Sequence, residues 1–279
     1  LNQVTMSVNK ISAKEIKSLP SVGGQPDLAQ YLQVLPGVIF TGDQGGQLYI
    51  RGGSPIQNLV LLDGMTIYNP FHSIGLFSVF DTEIISNADI YTGGFNAEFG
   101  GRISSVMDIK TRAGNKTEPA GKIGVNPFGA RLLVEGPMKK LDPNTGLSSS
   151  YIFSAKTSYL EQSANQLYSY ASEDGLPYTF TDLYGKMTFG SKSGSQFNIF
   201  GFNFRDAVKY QNISNLNWNT YGFGAHFLAV PTSSPVIIEG NFAYSNYEIG
   251  LDETGLERRF SSINNFNVGL NFKYFNGLN

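Results

Sequence analysis

Residues 264–274 read NNFNVGLNFKY, and the period of that stretch is two. Phe266, Val268, Leu270, Phe272 and Tyr274 fall on one face of an extended chain, with Asn265, Asn267, Gly269, Asn271 and Lys273 on the other. The same pattern recurs toward the N-terminus. Residues 219–229 set Tyr221, Phe223, Ala225, Phe227 and Ala229 against Thr220, Gly222, Gly224 and His226. Residues 236–245 place Val236, Ile238, Phe242 and Tyr244 opposite Glu239, Asn241 and Ser245, and residues 151–159 place Tyr151, Phe153, Ala155 and Tyr159 opposite Ser154, Lys156 and Ser158. Shorter versions at 182–190 and 196–205, and a pair at 121–126 and 130–136 split by Pro127-Phe128-Gly129, bring the expected strands to eight.

Alternation alone leaves open which face is inside. A soluble barrel hides its apolar face, whereas an outer-membrane barrel turns it to lipid. Three features favour the bilayer. The polar face is built from Asn, Ser, Gly and Thr with few charges, which suits a water-filled lumen. Several strands have the length a tilted strand needs to cross a membrane, about 9–11 residues. The gaps 191–195 and 231–235 are tight, while 161–181, 206–217 and 250–260 are long, as expected for short turns on one side and loops on the other. On this reading Arg131, Lys156, Lys186, Arg205, Lys273, Glu135 and Glu239 face the lumen.

The composition is uneven. Residues 1–119 hold 10 of the 37 aromatics and residues 120–279 the other 27, so two physically different segments meet near Asn115–Ala120. The expected division is 1–119 and 120–279. Of 279 residues only 15% are charged, the net charge is −2, and there is no Cys. This charge gives no basis for nucleic-acid binding, and the absence of thiols excludes disulfides, thiolate metal sites and cysteine nucleophiles. No apolar run is long enough for a transmembrane helix. Without a signal segment at Leu1, the chain is expected to start after any targeting sequence or to be cut from something longer.

The first segment reads as a small mixture of helices and strands. Residues 4–10 alternate loosely as a strand. Ser12 with Glu15 forms a capping box for a helix over 13–19. Asp27 caps a second helix carrying Leu28, Leu32 and Leu35, which Pro36-Gly37 ends. Strands at 47–51 and 58–62 flank Gly52-Gly53-Ser54-Pro55 and close on the turn pair Asp63-Gly64. Residues 82–87 read as one helical turn, and 88–92 and 104–110 as strands around a Gly-rich stretch.

These glycines do not match a dinucleotide or phosphate loop, and no G-x-S-x-G elbow, acid–base pair or His-rich metal set is present. No cofactor, metal site or catalytic residue is therefore expected. Asp63 and Glu98 read as turn and surface groups. Arg51 beside Gly52-Gly53, and Arg102 beside Gly100-Gly101, either solvate their turns or reach across to distant carboxylates. Tyr68, Asn69, Phe71 and His72 form an aromatic cluster with polar tips that either binds a ligand or, with Phe77 and Phe80, packs a core.

A folded unit of about 119 residues, with a radius of gyration near 14 Å, cannot sit inside eight strands, whereas a barrel of about 22 can hold it. At the spacing seen here the remaining strands would need roughly 280 more residues, so a truncated barrel is expected.

The sequence resembles the TonB-dependent outer-membrane receptors, as found in Bacteroidetes-type bacteria. The resemblance is carried by LPGV (35–38), LYIRGG (48–53), NLVLLDGMTIYNPFHSIGLFSVF (58–80), IYTGGFNAEFGGRISSVMDIKT (90–111) and VEGP (134–137). It implies an α+β plug domain followed by the first strands of an antiparallel transmembrane β-barrel in the bacterial outer membrane, with the plug facing the periplasm. It also implies import of a scarce, bulky nutrient by energised plug displacement, and not an enzyme. Arg51 and Arg102 would lock onto barrel glutamates. The implied partners are the inner-membrane TonB complex, reached through a TonB box outside this chain, outer-membrane lipids, and a surface lipoprotein or other outer-membrane subunits. The rival expectations are a receptor-like barrel serving as a structural component of an outer-membrane complex, and a soluble binding protein.

Overall fold

The computed structural model describes residues 8–21, 25–41, 47–73, 75, 77–167, 178–210 and 214–275. The expected strand over 4–10 lies partly outside them. What is seen is β1 (Val8–Ser12), followed by α1 (Ala13–Ser18), whose capping box is formed by Ser12 and Glu15 as the spacing requires. Asp27 caps α2 (Leu28–Leu32) by accepting from the Ala29 amide. The hairpin β2 (Val38–Thr41)–β3 (Gln47–Ile50) stands apart as a two-stranded sheet.

The remaining N-terminal strands are β4 (Asn58–Leu62), β5 (Met65–Thr66), β6 (Ile85–Tyr91) and β7 (Ser105–Thr111). With β1 they form one sheet in the order β1-β6-β7-β4-β5, in which β4 and β7 are parallel and the other pairs antiparallel. Asp63 and Gly64 both have positive φ, 48° and 84°, as the two central positions of a tight hairpin turn between β4 and β5 require. The helical turn expected at 82–87 is not formed. Asp81 accepts from the Glu83 amide in a local turn, and from Ile85 onward pairing with β7 prevails.

The second segment forms all eight expected strands: β8 (Ala120–Val125), β9 (Gly129–Lys139), β10 (Ser148–Ser158), β11 (Tyr178–Gly190), β12 (Gln196–Tyr210), β13 (Ser214–Ala229), β14 (Val236–Glu253) and β15 (Arg259–Tyr274). Each pairs antiparallel with its sequence neighbour, giving an uninterrupted eight-stranded meander. The long gaps at 206–217 and 250–260 prove to be mostly strand, since β12 to β15 run 15–18 residues. Polar residues fall on both faces of these stretches, so the alternation that marks a strand in the sequence fades there. The gap at 161–181 contains α3 (Leu160–Leu167), and its residues 168–177 lie outside those described.

One face of the meander packs against the N-terminal unit. One hydrophobic cluster runs from Ile50, Leu62, Phe80 and Ile109 of that unit into Ile152 and Phe204 of the wall. The outer face carries Phe153, Phe189, Phe223, Phe266 and Phe272, exposed by 40, 40, 54, 65 and 64%. An apolar surface that continues across so many strands is a surface made for a non-aqueous neighbour. No described helix is long and apolar enough to cross a membrane, which says nothing of strands.

β12 departs furthest from the rule of polar inside and apolar outside. On β12 the inward positions are Phe200, Phe202, Phe204 and Asp206, because the ring of Phe80 packs edge-on against Phe204 at 6.5 Å. Arg205 therefore points outward and is exposed, not into the lumen as its strand pattern suggested. The inner wall is also fitted to these rings. A Cβ on Gly224 would lie 2.8 Å from Phe200, and one on Gly222 2.8 Å from Phe202.

Candidate functional site: the interface between the N-terminal unit and the wall

Charged side chains at inward positions of the wall reach the N-terminal unit at three places. At the first, His72 is 1% exposed and lies between two strands: Nε2 is 2.8 Å from Asp182 of β11 and Nδ1 is 3.3 Å from Asp206 of β12. Its ring stacks on Phe180 at 3.9 Å. The Ser73 amide and hydroxyl donate to the same Asp206 carboxylate at 2.7 and 2.8 Å. Lys156 of β10 stands 3.3 Å from Asp182, donates to the Ser78 carbonyl, and lies 3.9 Å from Asp27. Burial by itself opposes a charge on His72, but Asp182 and Asp206 outweigh it and lift the imidazole from its ordinary 6.5 to about 9. Burial also pushes the Asp27 carboxyl up, against the pull of Lys156 and the Ala29 and Ser78 amides.

At the second place, the Asp63 carboxylate accepts from the Thr111 amide at 3.0 Å, the Thr111 hydroxyl at 2.5 Å and the Tyr184 phenol of β11 at 2.6 Å. Lys186 of β11 donates to the Thr111 carbonyl and hydroxyl at 3.0 and 2.9 Å, and lies 3.6 Å from Asp63. The third is a fork. Arg112 donates through both terminal nitrogens to Glu135 of β9, at 2.6 and 2.8 Å, and through Nε to the Glu83 carbonyl at 2.8 Å. Burial raises the Glu83 carboxyl, but Lys17 and Lys122, at 2.9 and 3.0 Å, hold it below the usual range. Ser154 and Arg131 of the wall add contacts to Asp81.

The family resemblance places two arginines, Arg51 and Arg102, at such a lock, and the structure brings neither to an acidic partner among the described residues. Arg51 is exposed, with φ 48°, in a turn completed by Gly52 at φ 80°, and its amide donates to the Gly37 carbonyl at 2.8 Å. Gly53 bridges back to Ile50, and a Cβ there would strike Ser104. Arg102 donates to the carbonyl of Gly101, next to exposed Gly100. Among the described residues of the N-terminal unit, the arginine that forks onto a wall carboxylate is Arg112. Its signal was an arginine directly after a strand whose partner, Glu135, occupies an inward position of the next segment.

The aromatic cluster is divided. Phe71 packs edge-on against Phe40 at 5.0 Å, and it and His72 are buried, so neither presents a surface to solvent. Tyr68 and Asn69 are half-buried, and the Tyr68 phenol accepts from Asn265 at 3.3 Å while its ring lies 5.9 Å from Tyr247. A cleft of about 880 Å³ separates the edge of the five-stranded sheet from the inner face of β12 to β15, lined by Tyr68, Arg102, Lys110, His226, Glu239 and Asn265 among others. His226 sits there 3.1 Å from Glu239, as its lumen-facing position implied. No cluster of His, Asp or Glu among the described residues could hold a metal ion.

Residues 1–106 match the family model described as TonB-dependent Receptor Plug Domain. Among solved structures the chain resembles the ferric enterobactin receptor PfeA of Pseudomonas aeruginosa, with a TM-score of 0.62 and 15% identity over 95% of this chain and 46% of that one. The siderophore receptor PirA of Acinetobacter baumannii matches at 0.63 and 15% identity, over 96% and 45%. The hemophore receptor HasR of Serratia marcescens, solved with its hemophore HasA and heme, matches at 0.68 and 13%, over 95% and 41%. Identities this low establish the fold alone. No curated protein sequence matches the chain. The chain spans a little under half the length of these receptors. It carries a TonB-dependent receptor plug domain, and its fold is that of these receptors: a plug held against an antiparallel stretch of barrel wall.

Replacing Arg112 with Ala removes the fork and leaves Glu135 with only the Asn115 amide, which donates at 2.8 Å. Because about a third of the arginine side chain is solvent-exposed, the expected loss of plug–wall stability is about 1–2 kcal/mol. Arg112→Lys should recover less than half of it, since an ammonium cannot make two parallel bonds. The midpoint of plug release in urea measures both.

Proposed function

We propose that this chain is the plug and part of the wall of an outer-membrane TonB-dependent receptor that imports a scarce, bulky nutrient, a glycan, peptide or metal chelate, by energised displacement of the plug. The observation that carries this reading is a folded unit seated on a polar, charged inner wall whose opposite face is a continuous apolar belt. It supports a functional division at 1–119 and 120–279, an outer-membrane location with the plug open to the periplasm, and binding and transport in place of catalysis. The partners are the inner-membrane TonB complex, outer-membrane lipids and, on the outer surface, a lipoprotein or other subunits. Arg51 and Arg102 lock onto glutamates of the barrel outside the described wall. Tyr68 and Asn69 face the incoming ligand, with Phe71 and His72 supporting them from behind.

The number of buried ion pairs between plug and wall favours a second reading, in which the plug never moves and the barrel is a structural component of an outer-membrane complex. One experiment separates the two. Uptake of labelled glycans, peptides and ferric chelates is compared in cells with and without the gene, before and after a protonophore collapses the proton gradient. Gene-dependent uptake that stops with the gradient is expected of the receptor. Unchanged uptake, together with loss of an outer-membrane complex on deletion, would establish the scaffold.

A further inference from the structure

We infer that His72 is a protonation-controlled latch: its imidazolium, shared between Asp182 and Asp206, fastens the loop joining β5 to β6 to the barrel wall, and loss of its proton frees that loop. The argument starts from geometry. His72 and Ser73 sit at the far end of a long excursion, and the wall meets them with two carboxylates from adjacent strands, 2.8 and 3.3 Å from the two ring nitrogens. A neutral imidazole carries one N–H and could satisfy only one of them, whereas the cation donates to both. Asp182 is 4% exposed and has a second oxygen without a protein partner among the described residues, so its burial depends on His72 and Lys156. Asp206 is 7% exposed and otherwise accepts only from Ser73 among the described contacts. Removing one positive charge would leave two buried carboxylates facing one lysine, the arrangement low-dielectric surroundings tolerate least.

Among the described residues, four further charged or titratable groups enter the balance with Lys156. From β11 comes Asp182, from β12 Asp206, from β10 Lys156, and from the N-cap of α2 Asp27, which is tied to Lys156 and the Ser78 amide. The Tyr247 phenol of β14 feels the Asp206 charge. Phe180 closes the remaining face of the ring. The sign follows from linkage. An imidazole at its ordinary 6.5 when the loop is free and about 9 when it is docked stabilises docking fully below pH 6.5, and this is lost as pH rises through about 9. The latch rests on the plug being seated in the wall and not on transport.

Selective ¹⁵N-histidine labelling of the full-length protein in detergent micelles is read by difference: the imidazole signals that vanish in His72→Gln are those of His72. His72 is expected to carry protons on both nitrogens at pH 7.5 and to titrate well above 7. A neutral His72 at pH 7.5 overturns the proposal. Loop release is read from proteinase K cleavage within residues 70–80, normalised to a peptide substrate at each pH. Wild-type cleavage should rise about tenfold or more between pH 7 and 9.5. In His72→Gln it should be fast throughout with no such rise, and in Asp206→Asn the rise should move to lower pH. The proposal fails if wild-type cleavage is flat over that range or if His72→Gln keeps the rise. Should His72→Gln not fold, Asp206→Asn decides alone, and an unmoved transition refutes the latch.

Discussion

Asp63→Ala should weaken the seating of the plug by about 3–5 kcal/mol, the range found when one partner of a buried charge pair is removed. Three losses coincide at this position. The Thr111 amide loses its acceptor, and the Thr111 hydroxyl and Tyr184 phenol, 2.7 Å apart, are left to pair with each other. Lys186, 8% exposed, loses the carboxylate 3.6 Å away. Alanine must also adopt φ near 48°, where a side chain with no hydrogen-bonding group is strained. Asp63→Asn keeps an oxygen acceptor and tolerates the left-handed backbone, so its cost should be no more than about half as large. Urea titration of the full-length protein in detergent, followed by fluorescence, measures both. Trp218 interacts with the Tyr247 phenol, whose ring lies 5.9 Å from Tyr68 of the plug, so its emission, isolated as the difference between the protein and Trp218→Phe, reports on departure of the plug. Equal effects of Ala and Asn would show that the charge and turn argument is wrong.

The residues at which this argument is strongest were only partly legible in the sequence. Asp63-Gly64 was readable as a turn because the pair has a local backbone reason to exist. Nothing local marks Asp63 as the acceptor of a tyrosine 121 positions away. The capping box at Ser12, the Asp27 cap, the eight strands and the direction of the apolar face were readable for the same reason: each is a short-range pattern. What escaped was set by contacts between the two segments. β12 holds phenylalanines on its inner face because the plug offers Phe80 there, and this reversed the expected direction of Arg205. His72, which the sequence leaves open between a ligand-binding cluster and a packed core, is buried because Asp182 and Asp206 arrive from strands more than a hundred residues later. Arg51 and Arg102 stood out by their glycines, yet glycine pairs specify turns and carry no information about partners. Arg112 had no such flag.

Phe223→Arg should cost about 1–2 kcal/mol and deplete the assembled barrel, while Asn219→Arg, two pleat repeats further along the same face, should cost less than about 1 kcal/mol. The outward residues of the wall define where lipid should begin. On β15 they are apolar from Phe266 to Tyr274, a rise of about 20 Å along the membrane normal for a strand tilted near 40°. At one edge of that belt Tyr221 and Tyr244 lie together, with ring centroids 6.4 Å apart, as tyrosines do at a membrane boundary. Immediately past them the outward positions turn to amides. Tyr244 donates to Asn264 at 2.7 Å, Asn246 donates to Asn264 at 2.9 Å, and Asn203 donates to Asn219 at 2.9 Å. Phe223 lies inside this boundary, packed between the rings of Phe242 and Tyr244 at 6.0 and 5.5 Å, and Asn219 lies outside it. A guanidinium at 223 would have to leave water, and one at 219 would not. Heat-modifiable migration of the full-length protein from outer-membrane fractions gives the folded share of each variant. If Phe223→Arg assembles as well as Asn219→Arg, that face does not meet lipid, and the aromatic belt must then be covered by protein.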